Sequence, residues 1–182
     1  MTIITTERLL LRPLHKRDAT TIAREINHFE IARNLARVPY PYELKHAEDF
    51  IAWQANLDAR SAVCGVEEVR NPGLLIGVCS YEWSEAKQDA EFGYWYARHA
   101  WGKGFATETA KVLVRHAFES ASLPKLVSCY HNDNPASGRV LKKAGFMATQ
   151  QCTHFSVAQN REVPVTTMHL TREIWAQNTR RT

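Results

Sequence analysis

The sequence predicts an α/β (α+β) domain in which short strands alternate with amphipathic helices. Residues 90–96 are rich in β-forming side chains, and two glycines separate them from an amphipathic helix that begins near Ala106. Two apolar runs, 62–69 and 74–83, flank an Arg-Asn-Pro-Gly turn and predict a hairpin. A second helix begins after Asn134, which is followed by proline.

The first third of the chain is predicted to form one strand and two helices. Residues 9–13 form an apolar strand that ends at proline. Apolar residues with helical spacing predict a helix over residues 16–27, with Asp18 as a plausible N-cap, and another over residues 44–59.

Two prolines fix an extended loop over residues 38–42 between these helices. The loop is expected to hold Tyr40 and Tyr42 outward. Such a rigid aromatic loop serves either for packing or as the wall of a pocket, and we favour the pocket. Tyr40 and Tyr42 are therefore candidate substrate-binding residues.

The C-terminal part is predicted to contain three strands and one helix. Residues 125–130 form a short strand, and the helix that follows Asn134 ends at Gly145. Residues 146–154 and 163–170 form a final hairpin. The basic residues 178–182 are expected to be a frayed tail.

The composition indicates one domain, 1–182, of ordinary size. The net charge of +4 is too small and too evenly spread to favour a nucleic-acid partner. Neither a signal peptide nor a membrane-spanning run is evident, so we expect a soluble, cytoplasmic protein without a membrane partner. The cysteines lack metal-ligand spacing, so no metal site is predicted, and they are expected to be buried, reduced thiols. They are Cys64, Cys79, Cys129 and Cys152.

Two glycines, Gly102 and Gly104, precede the central helix. Glycine lets the backbone approach a ligand closely, and the first helical amides point outward with the positive end of the helix dipole behind them. The loop therefore suits a phosphate or pyrophosphate, although a simple strand-to-helix connection would use the same residues. Neither a Walker motif nor a full dinucleotide-binding fingerprint is present.

A second motif occupies the helix after Asn134. Asn134, Ser137 and Leu141 share one helical face by their spacing. The alternative to a functional role for this face is structural, with Asn134 as an N-cap and Ser137 as a small packing residue.

Together these motifs resemble the GNAT superfamily of acetyl-CoA-dependent N-acetyltransferases, in particular its ribosomal-protein-alanine acetyltransferase branch. The resemblance covers nearly the whole chain. It implies the GNAT fold: a mixed, twisted sheet of about six or seven strands, splayed in the middle and flanked by about four helices. The motifs are residues 7–13 (ERLLLRP), 39–42 (PYPY), 93–95 (GYW), 101–108 (WGKGFATE), 134–137 (NPAS) and 143–146 (KAGF).

The resemblance implies acetyl-CoA as the cofactor, with its pyrophosphate on the loop amides. Trp101 replaces the Gln or Arg that usually opens this loop, which should remove a side-chain contact without harming the amides. The pantetheine should pair with the strand edge at Tyr94, Trp95 and Tyr96, and an amide near Trp95 should serve as oxyanion donor. Asn134 should position the pantetheine or a water, and Ser137 is a further candidate cofactor-binding residue, while Arg139 and Lys143 either meet the 3′-phosphate or are solvated. The loop residues are Trp101, Gly102, Lys103, Gly104, Phe105, Ala106 and Thr107.

The reaction needs a proton acceptor for the attacking amine. Glu91, on the strand beside the expected thioester, looks like the acidic residue that related enzymes use as base, and it would also contact the substrate. The tyrosine that protonates the thiolate in many relatives falls at Leu141, so Ser137 is the candidate donor; the thiolate could also leave unaided. Glu108 is expected to be structural.

The expected reaction is direct attack by a primary amine in a ternary complex, since no cysteine falls where an acetyl carrier is expected. The acceptor is a protein N-terminal α-amine or a small amine; polyamines, amino acids and aminoglycosides are alternatives. Neither loop near the pocket, around residues 39–42 or 155–163, carries an acidic cluster, which tilts the choice towards a peptide or small monoamine. A non-catalytic acyl-CoA-binding module is the competing function. A monomer or homodimer is expected.

Overall fold

The computed structural model describes residues 3–180, in which one eight-stranded sheet is flanked by six α-helices. The strand order is β1-β2-β3-β4-β5-β6-β8-β7. The strands are β1 (Ile4–Thr5), β2 (Leu9–Arg12), β3 (Ala62–Glu68), β4 (Leu75–Ser84), β5 (Asp89–Tyr96), β6 (Lys125–His131), β7 (Met147–Ser156) and β8 (Arg161–Thr171). The helices are α1 (Ala19–Ile26), α2 (Phe29–Ala32), α3 (Leu44–Gln54), α4 (Phe105–Glu119), α5 (Pro135–Lys143) and α6 (Arg172–Thr179).

The predicted α/β class and mixed sheet are confirmed, but the element counts were too low. The pattern missed β1 and α2, which span two and four residues and are too short for a period to show. It also missed α6, which has no fully buried residue and rests on the core mainly through the adjacent, partly buried Ile174 and Trp175, too few to show a helical period. Residues 178 and 179 belong to α6 rather than to a frayed tail, whereas residues 181 and 182 lie outside the described residues. Helix α3 ends at Gln54, before residue 59.

The sheet opens in its middle, where β5 and β6 run parallel. Their pairing comprises Ala90 with Leu126 and Glu91 with Val127. One step further along, the Ser128 hydroxyl donates to the Phe92 carbonyl at 2.8 Å in place of a backbone bond. Beyond this point the strands diverge, so β5 presents an unpaired edge towards β6. The predicted splay is thereby confirmed.

Alternate residues of β5 serve two different cores because strand side chains alternate between faces. Ala90, Phe92 and Tyr96 pack with α4 on one face of the sheet. Trp95 packs with α1 and α3 on the other face. The side chains of Glu91 and Gly93 share this second face. Functional groups on β5 can therefore face two separate spaces.

A buried ion cluster fastens β2 to β3 and to the start of α1. The Arg12 guanidinium donates to both Asp18 carboxylate oxygens at 2.7 and 2.8 Å, and Arg12 Nε donates to Glu67 at 2.6 Å. Asp18 occupies the N-cap position of α1 as predicted, but its side chain makes no capping bond there and instead accepts from Arg12 and from the His15 amide. The same acidic side chain suits either role, and the buried arginine decides between them.

No helix within residues 3–180 has both the length and the apolar character needed to cross a bilayer.

Candidate functional site

A cavity of about 370 Å³ fills the opening between β5 and β6, and we call it the splay cleft. Its lining includes several of the predicted cofactor residues, which lie far apart in sequence. The splay brings them together, as predicted. They are Tyr94, Trp95, Tyr96, Trp101, Asn134 and Ser137.

The backbone N–H and C=O groups of even-numbered residues on β5 point towards the splay cleft. Ala97 donates to Ile76 on β4 at 2.9 Å, and Ser128 donates to the Phe92 carbonyl on the opposite edge. Because N–H and C=O groups alternate in direction along an antiparallel strand, the amide of Trp95 faces β4 and the amide of Tyr94 faces the splay cleft. The oxyanion donor predicted near Trp95 is therefore best matched by the Tyr94 amide.

The glycine loop lies between β5 and α4, with Gly102 and Gly104 at positive φ values of 75° and 80°. This left-handed conformation favours glycine. Within the described residues, the amides of Gly102, Lys103 and Gly104 donate to no other backbone group. The amides of Phe105 and Ala106 begin α4 and have no intrahelical acceptor by position. The loop thus presents donors that fit a pyrophosphate.

Trp101 ties this loop to the end of β5. Its indole Nε1 donates to the Tyr96 carbonyl at 2.7 Å, while 48% of the residue stays exposed. The residue that departs from the family pattern therefore has a contact of its own, which closes the strand edge at Tyr96 and leaves the Tyr94 groups facing the splay cleft.

Arg8 and Glu108 fasten the loop from the other side, and sequence reasoning assigned Arg8 no role. Arg8 Nε donates to Glu108 at 2.7 Å, and Arg8 Nη1 donates to the Lys103 carbonyl at 3.0 Å. Thr6 also donates to Glu108, at 2.6 Å. Burial alone would raise the pKa of Glu108, but the hydrogen bonds from Thr6 and Arg8 hold this pKa below its usual value. These contacts support the structural role expected for Glu108.

We expect Arg8→Ala to weaken coenzyme A binding about fivefold, near the upper end for a partly exposed ion pair, because it frees the Lys103 carbonyl and the loop. Titration calorimetry with coenzyme A measures this. Arg60→Ala is the matched control, since Arg60 pairs with Asp58 and Glu85 instead. Equal affinity in the Arg8 and Arg60 variants would contradict the anchoring role.

Ser137 contacts a group that the sequence did not suggest, the phenol of Tyr94. The two hydroxyl oxygens lie 2.8 Å apart, and the Tyr94 hydroxyl also donates to the Ser137 carbonyl at 3.1 Å. Burial raises the pKa of Tyr94 well above its ordinary value, so the phenol stays protonated at neutral pH. Asn134 caps α5 as predicted, accepting from the Ser137 amide at 3.2 Å. The family resemblance had implied a role only for the backbone of Tyr94.

Other predicted positions lie outside the splay cleft, since its lining does not include Arg139, Lys143, Tyr40, Tyr42 or the loop residues 102–107. Arg139 and Lys143 are exposed on α5 and line none of the cavities described here, so their phosphate role stays a prediction. Tyr40 is 45% exposed and packs edge-on against Phe29, with ring centroids 5.2 Å apart. The expectation that both loop tyrosines point outward is wrong for Tyr42, which is only 7% exposed. Its desolvated phenol has a pKa raised to about 12.

A second cavity of about 510 Å³ lies between the sheet and helices α1 and α3, and we call it the helix-side cavity. Tyr42, Glu91 and Gly93 line it. It shares Leu35, Tyr94 and Trp95 with the splay cleft, so the two spaces adjoin at these residues. Glu91 therefore stands beside the splay, as its position on the strand predicted.

Glu91 belongs to a carboxylate pair that the loops did not reveal. Glu82 lies directly opposite it on β4. Arg37 bridges the two, with Nη2 3.4 Å from Glu82 Oε2 and 3.7 Å from Glu91 Oε2. The Glu91 side chain remains 58% exposed. The acidic groups near the helix-side cavity thus come from the neighbouring strands β4 and β5 rather than from the loops.

One cysteine does lie near Glu91. Cys129 lines, together with Glu91, a third cavity on the helix-free side of β6, and its sulfur is 3.7 Å from His154 Nδ1. Burial, and to a lesser degree the charge of Glu91, raises the pKa of this thiol to about 11. Cys129 is therefore a protonated and weak nucleophile at neutral pH.

Comparison with known proteins places this geometry in a known group. Residues 8–147 match the model of the acetyltransferase (GNAT) domain. An uncharacterized N-acetyltransferase, p20, from Bacillus licheniformis is 25% identical over 178 residues, which is 97% of this chain and 99% of the relative. The ribosomal-protein-serine acetyltransferase of Escherichia coli is 34% identical over 74 residues, 40% of this chain and 41% of that protein.

The fold matches solved structures closely. The spermidine N-acetyltransferase of Vibrio cholerae, solved in complex with coenzyme A and spermine, superposes with a TM-score of 0.79 at 22% identity. The match covers 94% of this chain and 99% of that one.

Proposed function

This chain belongs to the GNAT acetyltransferase family, and from that premise we propose that the enzyme transfers the acetyl group of acetyl-CoA to a primary amine by direct attack in a ternary complex. The observation that carries the proposal is the common wall of the two cavities. Because Leu35, Tyr94 and Trp95 line both, a donor in the splay cleft and an acceptor in the helix-side cavity would meet at the β5 edge beside Glu91.

The chain's own groups fit coenzyme A at the loop and at the strand. The left-handed Gly104 and the unpaired amides of 102–106 would hold the pyrophosphate, and the Tyr94 backbone would pair with the pantetheine. When bound, acetyl-CoA supplies a thioester, whose carbonyl carbon accepts the nucleophile. The Tyr94 amide is placed to donate to an oxyanion in the cleft.

The remaining chemistry is proton transfer. An alkylamine has a pKa of roughly 10, so most of it arrives as ammonium, and Glu91 would take the proton. At the other side, Ser137 would donate a proton to the departing thiolate, with Tyr94 fixing the Ser137 hydroxyl. Departure without a donor is also feasible, because a thiol pKa near 8.5 makes the thiolate a tolerable leaving group.

Two features favour direct transfer over a covalent acetyl-enzyme. Cys129, which lines a cavity together with Glu91, has a pKa raised to about 11, and burial raises the pKa of Cys79, opposite Tyr94 on β4, well above its usual value, so both thiols stay protonated. The shared cavity wall also removes the need for a carrier. The free thiols of Cys79, Cys129 and Cys152 further support a reducing compartment, and we propose the cytoplasm.

The acceptor class within this proposal is a small amine or a protein N-terminal α-amine. The ribosomal-protein relative supports the second, and the spermidine-acetylating structural neighbour supports the polyamine alternative. An alternative raised by the sequence, a non-catalytic acyl-CoA-binding module, needs neither Glu91 nor a second cavity.

The direct test is thiol release from acetyl-CoA in the presence of a panel of amines and N-terminal peptides. We expect thiol release that depends on the amine, with a mass increase of one acetyl group on the acceptor. A protein that binds coenzyme A but releases thiol with no member of the panel would contradict the proposed transfer and favour the binding module.

A further inference from the structure

We propose that the acceptor is a primary amine with an apolar, aromatic-sized body rather than a polyamine or a peptide. The inference rests on the proposed function and narrows its acceptor. It follows from the walls of the helix-side cavity, from the position of its charges, and from the empty space above Gly93.

The walls of the helix-side cavity are apolar on both sides. Val63, Val78 and Trp95 form its sheet side, and Ile26, Phe50 and Trp53 form its helix side. Phe50 and Trp53 stack on each other with ring centroids 5.7 Å apart at 25°. A volume of about 510 Å³ lies within the range that binds compact organic ligands. The cavity therefore favours a ligand that buries an apolar body.

The charges of this cavity are already paired. Glu82 and Glu91 share Arg37, and Asp49 is bonded to Lys45. The His46 ring nitrogen Nδ1 accepts from the Glu43 amide at 2.9 Å. Glu82 and Glu91 sit together at the β4–β5 end and share a single cation, so the pair can receive one ammonium group, whereas Asp49 has a lysine partner of its own on the same helix.

A polyamine is poorly matched to this distribution. With one amine at Glu91, its second ammonium would lie against Phe50, Trp53 or Val63, where the neighbouring carboxylate, Asp49, is already bonded to Lys45 and the loss of water is not offset. A peptide meets a similar difficulty, because its backbone N–H and C=O groups need partners that apolar walls do not offer. An aryl-alkyl amine makes neither demand.

Gly93 marks the place where the acceptor meets the strand. A Cβ at this position would meet no atom within 4 Å, in contrast to Gly77 on β4, where a Cβ would lie 2.5 Å from the Trp95 carbonyl oxygen. Gly93 faces the helix-side cavity between Glu91 and Trp95. The missing side chain thus leaves room beside the candidate base.

The test compares 2-phenylethylamine, ethylamine, spermidine and an alanine-initiated peptide as acceptors for the wild-type enzyme. We expect kcat/KM for 2-phenylethylamine to exceed that of each other amine at least about tenfold. Trp53→Ala should raise KM for 2-phenylethylamine about fivefold, with little change in kcat and little effect on ethylamine. Leu44→Ala is the control, since Leu44 lies on the same helix, is 47% exposed and does not line the cavity.

Spermidine or the peptide as the best acceptor, or equal effects of Trp53→Ala and Leu44→Ala, would overturn the inference while leaving acetyl transfer intact. Absence of turnover with every amine would overturn the proposed function instead. If no amine is turned over, calorimetry measures binding of 2-phenylethylamine to the coenzyme A complex. Binding that is weakened in Trp53→Ala would uphold the ligand class of the helix-side cavity, whereas no binding would overturn both the proposed function and this inference.

Discussion

Replacing Glu91 with glutamine should lower turnover about 100-fold while leaving the dissociation constant for coenzyme A unchanged. The amide keeps the size of the side chain but cannot take a proton from the ammonium group of the acceptor, which must become a neutral amine before it attacks. Thiol release at saturating acetyl-CoA measures turnover, and calorimetry measures binding. Glu85→Gln is the control, because Glu85 is exposed in the β4–β5 turn and bonds to Arg60.

The pH dependence distinguishes a base from a packing residue. As pH approaches the amine pKa of roughly 10, more acceptor arrives already neutral, so the ratio of wild-type to Glu91→Gln turnover should shrink. Glu82→Gln tests whether Glu82 is the base instead, since Glu82 lies directly opposite Glu91 on β4. A larger loss in Glu82→Gln than in Glu91→Gln would transfer the role of base to Glu82.

Replacing Arg12 with alanine should lower the free energy of unfolding by about 3–5 kcal/mol, the cost of leaving buried carboxylates without their partner. In a chain of this size the melting temperature should fall by about 10 °C. The Arg12, Asp18 and Glu67 side chains are all nearly inaccessible. Arg17→Ala, at an exposed neighbouring position, should have little effect. Equal melting temperatures for the two variants would contradict this account.

The same cluster predicts the direction of acid destabilisation. Burial alone would raise the pKa of Asp18, but Arg12 and the His15 amide hold it below its ordinary value. The ionised Asp18 therefore contributes stability that is fully present above its unfolded pKa of about 3.9 and is lost as pH falls through the lower folded value. Denaturant titrations below about pH 4 should show this loss in the wild type and a flatter profile in Asp18→Asn.

Local patterns predicted the parts of the site that depend on the backbone. Alternation along β5 placed Glu91, Gly93 and Trp95 on one face, and two glycines before a helix marked the donor loop. Both signals arise within a few residues, where strand pleat and helix termini fix directions. The splay itself came from the family resemblance rather than from any local pattern.

Contacts between distant segments were not predictable in this way. Arg8 and Glu108 are 100 residues apart, and Tyr94 and Ser137 are 43 apart. Each pair forms only after the sheet has brought the two segments together. None of the four residues is an unusual type for its position in the sequence. The carboxylate pair of Glu82 and Glu91 depends on the β4–β5 register, which turn chemistry alone did not specify.

The wall common to the splay cleft and the helix-side cavity should make binding of the two proposed reactants interdependent. On this proposal, whichever arrives first would pack against Leu35, Tyr94 and Trp95 and complete a surface for the other. Thermodynamic linkage then requires reciprocity: the factor by which coenzyme A improves acceptor affinity equals the factor by which the acceptor improves that of coenzyme A. We therefore expect the binding of donor and acceptor to be synergistic and to depend on these three side chains.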